Sequence, residues 1–278
     1  MFKGRSLLIA TKHNKEQIIS PIFEKELGVN CLVPKNMDTD LFGTFSGEVE
    51  RKSDPITIAR QKCEMAMQLT SADLAIASEG SFGPHPSMFF VNANEEYLVF
   101  IDKKNDLEII VKELSTNTNF NASEIHNLRA LKIFANKVGF PFHGLILRQS
   151  KNDFNNIFKG ITNWIKLIDA YNYLINHSDT VYVETDMRAT FNPTRRTVIQ
   201  IATNKLIEKI KSKCPVCKTP GYGITSMKEG LPCVACKTPT RSILSHVYTC
   251  QKCNYEDCKL YPYDKKEEDP MYCDQCNP

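Results

Sequence analysis

The 278-residue sequence predicts an α/β body, a mixed sheet flanked by helices, followed by a small cysteine-rich module. Three observations carry this reading. Short apolar runs alternate with segments of helical periodicity up to about Ser212. Of eleven cysteines, only Cys31 and Cys63 lie before residue 214, which separates a body (1–212) from a tail (213–278). Hydrophobic residues make up 42% and charged residues 24%, as in folded globular chains.

RSLLIA (5–10) reads as a first strand and KEQIISPIFEKEL (15–27) as a helix containing Pro21. VNCLV (29–33) reads as a second strand, and 34–53 as a long loop or a hairpin around Phe42–Phe45. In SDPITIARQKCEMAMQL, Ser53 or Asp54 can cap a helix that takes Pro55 in its first turn. DLAIAS (73–78) is a third strand, and the carboxylate-, glycine- and proline-bearing ASEGSFGPHP is expected as the loop that leaves it. SMFFVNA and EYLVFID are expected to form an antiparallel pair turning near Asn94, and LEIIVKELS a strand or short helix. A helix over 122–138, a strand over 143–149, a helix over 161–177, a strand over 180–189 and a helix over 193–212 complete the body.

The net charge of +3 is too small, averaged over the chain, to argue for nucleic acid. No apolar run approaches the ~20 residues of a membrane-spanning helix. The N-terminus lacks the apolar core of a signal peptide, so a cytoplasmic protein that engages no membrane is expected.

The tail carries four CxxC knuckles: Cys214/Cys217, Cys233/Cys236, Cys250/Cys253 and Cys273/Cys276. Each knuckle offers two thiolates, and two knuckles complete the tetrahedral sulfur set that structural Zn2+ accepts. Fifteen residues separate the first two knuckles and nineteen the last two, which fits a double zinc ribbon with two Zn2+ sites. Sequential pairing is the simplest; the spacing does not exclude the cross-braced pairing of first with third and second with fourth. Cys258 is left over. Lys218, Lys237, Arg241, Lys252 and Lys259 interleave with Tyr222, Tyr248 and Tyr255, a composition suited to nucleic acid or a docking partner.

In α/β sheets ligands bind beyond the carboxyl ends of strands. After the first strand come Thr11, Lys12, His13, Asn14 and Lys15, opening a helix as a phosphate cradle would. After the third comes Glu79, able to hold Mg2+ or orient water. After TVYV come Glu184, Asp186 and Arg188, then Arg195 and Arg196. Arginines grip phosphate oxygens and carboxylates grip hard cations. Glu48, Glu50, Arg51 and Asp54 stand before the second helix as further charged candidates. The structural alternatives are a capped turn at 11–15, a hydrogen-bonded turn at Glu79 and an ion-pair network at 184–196.

Along nearly its whole length, through IATKHNKE, GEVERKSDP, ASEGSFGPHPS, HGLILR, ETDMRATFNPTRR and the four knuckles, the chain resembles a mainly bacterial domain-of-unknown-function family with a zinc-binding tail. Its first ~100 residues are also similar to the inosine/xanthosine triphosphate pyrophosphatases. IATKHNKE, GEVERKSDPITIARQKCEMA and LAIASEGSFG stand in the order of that family's first loop, acidic segment with helix, and acidic glycine loop. This second resemblance implies an inosine triphosphatase-like fold and a Mg2+-dependent hydrolase of nucleoside triphosphates or a related phosphoanhydride. Glu79, Asp186 and Glu184 would then be catalytic, with Thr11, Lys12, Asn14, Lys15, Arg188 and Arg195 on the phosphates. Glu79 stands alone where many members carry paired acids. The alternative class is a non-catalytic adaptor that binds nucleic acid or protein through the tail.

Overall fold

The computed structural model describes all residues from Met1 to Pro278. The chain forms two compact units, Met1–Leu206 and Ile207–Pro278. No helix is long and apolar enough to cross a membrane.

The first unit is a mixed α/β structure with two sheets. The larger has the order β2-β1-β3-β4-β5. β1 (Ser6–Ala10), β2 (Asn30–Leu32) and β3 (Leu74–Pro84) run parallel to one another. β4 (Asn92–Asp102) and β5 (Leu107–Ser115) continue the sheet antiparallel. α1 (Glu16–Leu27) connects β1 to β2 and runs through Pro21, ending at Gly28 in the left-handed region, φ 65°. α2 (Pro55–Gln68) is capped by Asp54, whose side chain accepts the amides of Ile56 and Thr57. Ala59, Cys63, Ala66 and Met67 of α2 pack on Leu8, Ala75, Ala77 and Val99 of the sheet.

Two expectations are corrected here. ASEGSFGP is not a loop: β3 continues through it to Pro84, laddered against β4 along its full length. Nor do the apolar runs either side of Asn94 pair with each other. The first run lies mostly in the reversal before β4, which takes only its last two residues, Asn92 and Ala93, together with the second run; Asn94 is buried inside the strand, opposite Phe82. The reversal lies at 85–91, where the His85 ring accepts the amides of Ser87 and Met88. An asparagine reads as a turn residue, but eleven paired positions outweigh one local preference.

The second sheet is antiparallel, order β6-β9-β7-β8: β6 (Ala122–Ile125), β7 (Leu145–Arg148), β8 (Phe158–Ile161) and β9 (Val181–Thr185). The expected helix over 122–138 splits, because β6 takes its first residues and Asn127 then caps α3 (Leu128–Lys137). α4 (Trp164–Ile175), capped by Asn163, joins α3 in covering this sheet around Leu131, Leu145, Leu147, Leu167, Leu174 and Val183. α5 (Pro193–Lys211) begins where Asn192 accepts the Arg195 amide at 2.9 Å.

The second unit holds an antiparallel sheet of β10 (Gly223–Glu229), β11 (Ile243–Thr249) and β12 (Glu256–Leu260), in that order. The four CxxC knuckles surround it.

Candidate phosphate cleft and cysteine clusters

The loop leaving β1 and the middle of β3, at Ser78 and Glu79, face a cleft of about 550 Å³, including its open mouth. Lys12, Lys15, Lys62, Lys159 and Arg188 line it, together with His13. Asp40 and Glu79 are the only carboxylates in the lining. The acids that balance the other cations are outside the lining. Glu48 pairs with Lys159, Glu96 lies 3.7 Å from Lys15, and Asp186 pairs with Arg188. Five cations and two carboxylates therefore line the cleft, an excess of positive charge that favours an anion.

Lys15 is the innermost of these cations. Its ammonium donates to the Ser78 carbonyl oxygen at 2.7 Å and to the Ser78 hydroxyl at 2.8 Å. Burial and the neighbouring Arg195 push it down to about 8. His13 is pushed down to about 4, first by burial and then by Lys15, and is neutral at pH 7. Beneath them lies a dry ion pair. Arg195 donates from Nε and Nη2 to both oxygens of Glu96, at 3.1 and 3.2 Å, and neither side chain is exposed. Burial pushes the Glu96 carboxyl up, but Arg195 and Lys15 outweigh it and hold the group below the usual range. Arg195 also lies over the rings of Phe45 and Phe82, 4.4 and 5.3 Å from their centroids.

The residues expected from sequence distribute as follows. Thr11, Lys12, Lys15, Glu79 and Arg188 line the cleft together. Lys12 is partly exposed and bound to Asp38 at 2.8 Å and Asp40 at 2.6 Å. Asn14 shapes the loop at φ 57° and is absent from the lining. Glu79 sits within a strand, one oxygen on Lys62 and the other 3.2 Å from Arg51. Asp186 is fully buried, closed by Arg188 and by the Gly160 amide. Glu184 belongs to an adjoining pocket, where burial pushes it up to about 7 despite Arg148 at 2.6 Å. Glu50 is exposed, and Asp54 serves as the α2 cap.

Lys62, Glu96, Lys159 and Asp40 are site residues that sequence reasoning passed over. Lys62 stands with Ile58, Ala59, Cys63 and Ala66 on the buried face of α2, and a charge at that helical spacing is a readable signal. Glu96 shares alternation with Leu98 and Phe100 on the buried side of β4, a second such signal. Lys159 and Asp40 come from segments with no distinguishing pattern.

The carboxylates do not fit a protein-held Mg2+. Glu79, Asp186 and Glu184 are each closed by a lysine or arginine of the same chain, and they do not converge. Metal-capable clusters occur only in the second unit: Cys214, Cys217, Cys250 and Cys253 form one, and Cys233, Cys236, Cys273 and Cys276 the other. Knuckles thus pair first with third and second with fourth. The sequential pairing, simplest by spacing, is not the one formed, because the β10-β11-β12 sheet brings alternate knuckles together. Sulfur–sulfur separations are 3.7 and 3.5 Å in the first cluster and 3.8 and 3.5 Å in the second. A tetrahedron with Zn–S near 2.3 Å has an edge of about 3.8 Å, whereas a disulfide would be about 2.05 Å. Either cluster could hold a zinc ion.

Local backbone explains the knuckles. The amide four residues beyond each leading cysteine donates back to its carbonyl: Lys218 to Cys214, Lys237 to Cys233, Asn254 to Cys250 and Asn277 to Cys273. Lys218, Lys237 and Asn254 take positive φ of 61°, 62° and 55° to close these turns. Cys258 is exposed on β12, outside both clusters.

The chain belongs to the family described as Domain of unknown function (DUF6671), whose family model matches residues 62–278. No curated protein shows a significant match to the chain. The matched span includes Lys62, Glu79, Glu96, Asp186, Arg188, Arg195 and both cysteine clusters; the Thr11–Lys15 loop precedes it.

Proposed function

We propose that this DUF6671 chain binds a phosphorylated anion, a nucleotide or related phosphoanhydride, in the cleft between the end of β1 and the middle of β3. The observation that carries this is the gathering of Lys12, Lys15, Lys62, Lys159 and Arg188 in one lining that holds only two carboxylates, Asp40 and Glu79. Lys15 is the central contact. Its burial has a desolvation cost that an anion would offset. Arg188 adds a planar donor set, held in place by Asp186 and stacked on Phe191 at 4.6 Å. The similarity of IATKHNKE and LAIASEGSFG to the triphosphate pyrophosphatases points the same way. Hydrolysis is the activity that similarity implies, and Glu79 is the carboxylate in the lining best placed to serve it. Catalysis would require Glu79 to leave Lys62 or Arg51 for the substrate side.

The cysteine clusters are proposed as two structural Zn2+ sites. The unit is small and its sheet largely exposed, so metal binding would supply much of its folding free energy. A docking role for this unit, with nucleic acid or protein, rests on the contacts of Tyr222 with Tyr248 and Tyr255 and on Lys259 over Tyr248 at 4.6 Å.

The test is calorimetric titration of the full chain with tripolyphosphate and a panel of nucleoside triphosphates. Micromolar binding that weakens at least tenfold in Lys15→Met is expected. The same panel, read for phosphate and pyrophosphate release, separates binding from hydrolysis. Release abolished in Glu79→Gln assigns that residue to catalysis, and no release from any nucleotide leaves a binding domain. Failure of every phosphoanhydride to bind folded protein would remove the cleft from the function.

A further inference from the structure

A second pocket of about 720 Å³, mouth included, adjoins the phosphate cleft. The two share Thr44 and Phe45 as a common wall. The lining of the second is of a different kind. Phe45, Phe82 and Phe120 form a continuous aromatic run, with Phe45 edge-on to Phe82 at 5.6 Å and Phe82 stacked with Phe120 at 5.7 Å. Around these rings stand the Arg51 guanidinium, the Ser81 hydroxyl and the Glu184 carboxyl. All three rings are only half-buried.

We propose that this annex receives the planar heteroaromatic base of a nucleoside polyphosphate whose phosphates lie in the neighbouring cleft. The inference rests on the phosphate-binding reading and narrows it, from phosphoanhydrides in general to nucleotides. Three features select this ligand class. The shared wall calls for one molecule with an anionic end and an apolar end. Phe45 and Phe82 already carry Arg195, so Phe120 is the ring of the run that offers a face to a flat base, and stacking there is tolerant of which base is offered. The surrounding donors and acceptor suit the hydrogen-bonding edge of a base; an alkyl chain would bury them unpaired. Glu184 can serve either role at neutral pH, because burial places its carboxyl near 7 while Arg148, Asp186, Glu48 and Lys151 act on it. Arg51 also donates to the Gly80 carbonyl at 3.1 Å and to Glu79 at 3.2 Å, so an annex side chain is anchored on a carboxylate of the cleft.

The experiment compares nucleoside triphosphates with inorganic tripolyphosphate, by calorimetry and by proton NMR of the ligand, on the full chain. At least one nucleoside triphosphate is expected to bind ten or more times tighter than tripolyphosphate. Its base protons are expected to shift upfield on binding, the signature of ring stacking. Phe120→Ala should reduce the preference to within about twofold while tripolyphosphate affinity, the readout of a folded cleft, is retained. Phe82→Leu serves as a second variant with a milder change. Tripolyphosphate binding as tightly as every nucleotide would overturn the annex and leave the cleft standing. So would a nucleotide preference that survives both variants, or base protons that do not shift. Binding of neither ligand class would overturn the cleft, and the annex with it.

Discussion

Lys15 concentrates the chemistry of the first unit. Its ammonium is buried between Ser78, Glu96 and Arg195, with Glu79 and Lys62 also acting on it. Its folded value of about 8 lies below the ordinary 10.5, so the folded state binds fewer protons than the unfolded chain between pH 8 and 10.5. Keeping this charge therefore costs stability below pH 8, and the cost is relieved as pH rises through that window. Anion binding has the opposite sign, because only the charged form attracts phosphate. Tripolyphosphate affinity should fall about threefold between pH 7.5 and 8.5. Calorimetry across that range, with Lys15→Met as reference, checks it: the variant should bind weakly and lack this component. A wild-type profile that follows the variant's would show that Lys15 does not titrate there. Lysine in a loop opening a helix is legible as a phosphate contact. Its depressed value is not, because it arises from burial and from charged neighbours 47 and more residues away in sequence.

At the scale of elements, β3 and α5 meet at Gly80. A Cβ there would lie 2.6 Å from Arg195 Nη2 and 2.8 Å from Glu96 Oε2. The glycine is needed for this close approach rather than for a positive φ, since none is recorded for it. Gly80→Ala must displace a fully buried ion pair, and breaking such pairs costs roughly 3–5 kcal/mol. Gly83, three residues on, has open space at the same position. Gly83→Ala should therefore be neutral or slightly stabilising, by about 0.4–1 kcal/mol. Urea denaturation of both variants distinguishes them; equal stabilities would mean that the pair relaxes freely. Nothing local in the sequence distinguishes the two glycines. Which one meets Arg195 depended on the β3–β4 register and on α5 returning from more than 100 residues away.

For the whole molecule, the cysteine pairing has a measurable consequence. With first and third knuckles sharing a site, Cys214→Ser and Cys250→Ser strike the same metal. The double variant should keep one zinc per chain where the wild type carries two. Sequential sites would lose both. Metal content by mass spectrometry under native conditions decides this, and chelation should melt residues 207–278 ahead of the rest of the chain, read by hydrogen exchange. Each cross-braced site also closes a chain loop of more than thirty residues, so neither half of this unit can order alone.

The sequence by itself determined the α/β character, the metal-capable tail, the positions of β1 and β2, the start of β3 and the polar loop after β1, because periodicity, knuckle spacing and capping are local properties of the chain. It also named Thr11, Lys12, Lys15, Glu79 and Arg188 separately, as charges and hydroxyls beyond apolar runs. Only the tertiary structure decided that these five share one cleft, that Glu79 sits mid-strand between Lys62 and Arg51, and that Glu96 and Arg195 form the buried pair beneath. It alone chose between the two ways of joining four identical knuckles. The physical reason is common to all of these. A carboxylate or thiolate is satisfied by whichever partner the fold delivers, and sheet register and helix packing deliver partners from distant positions in the chain.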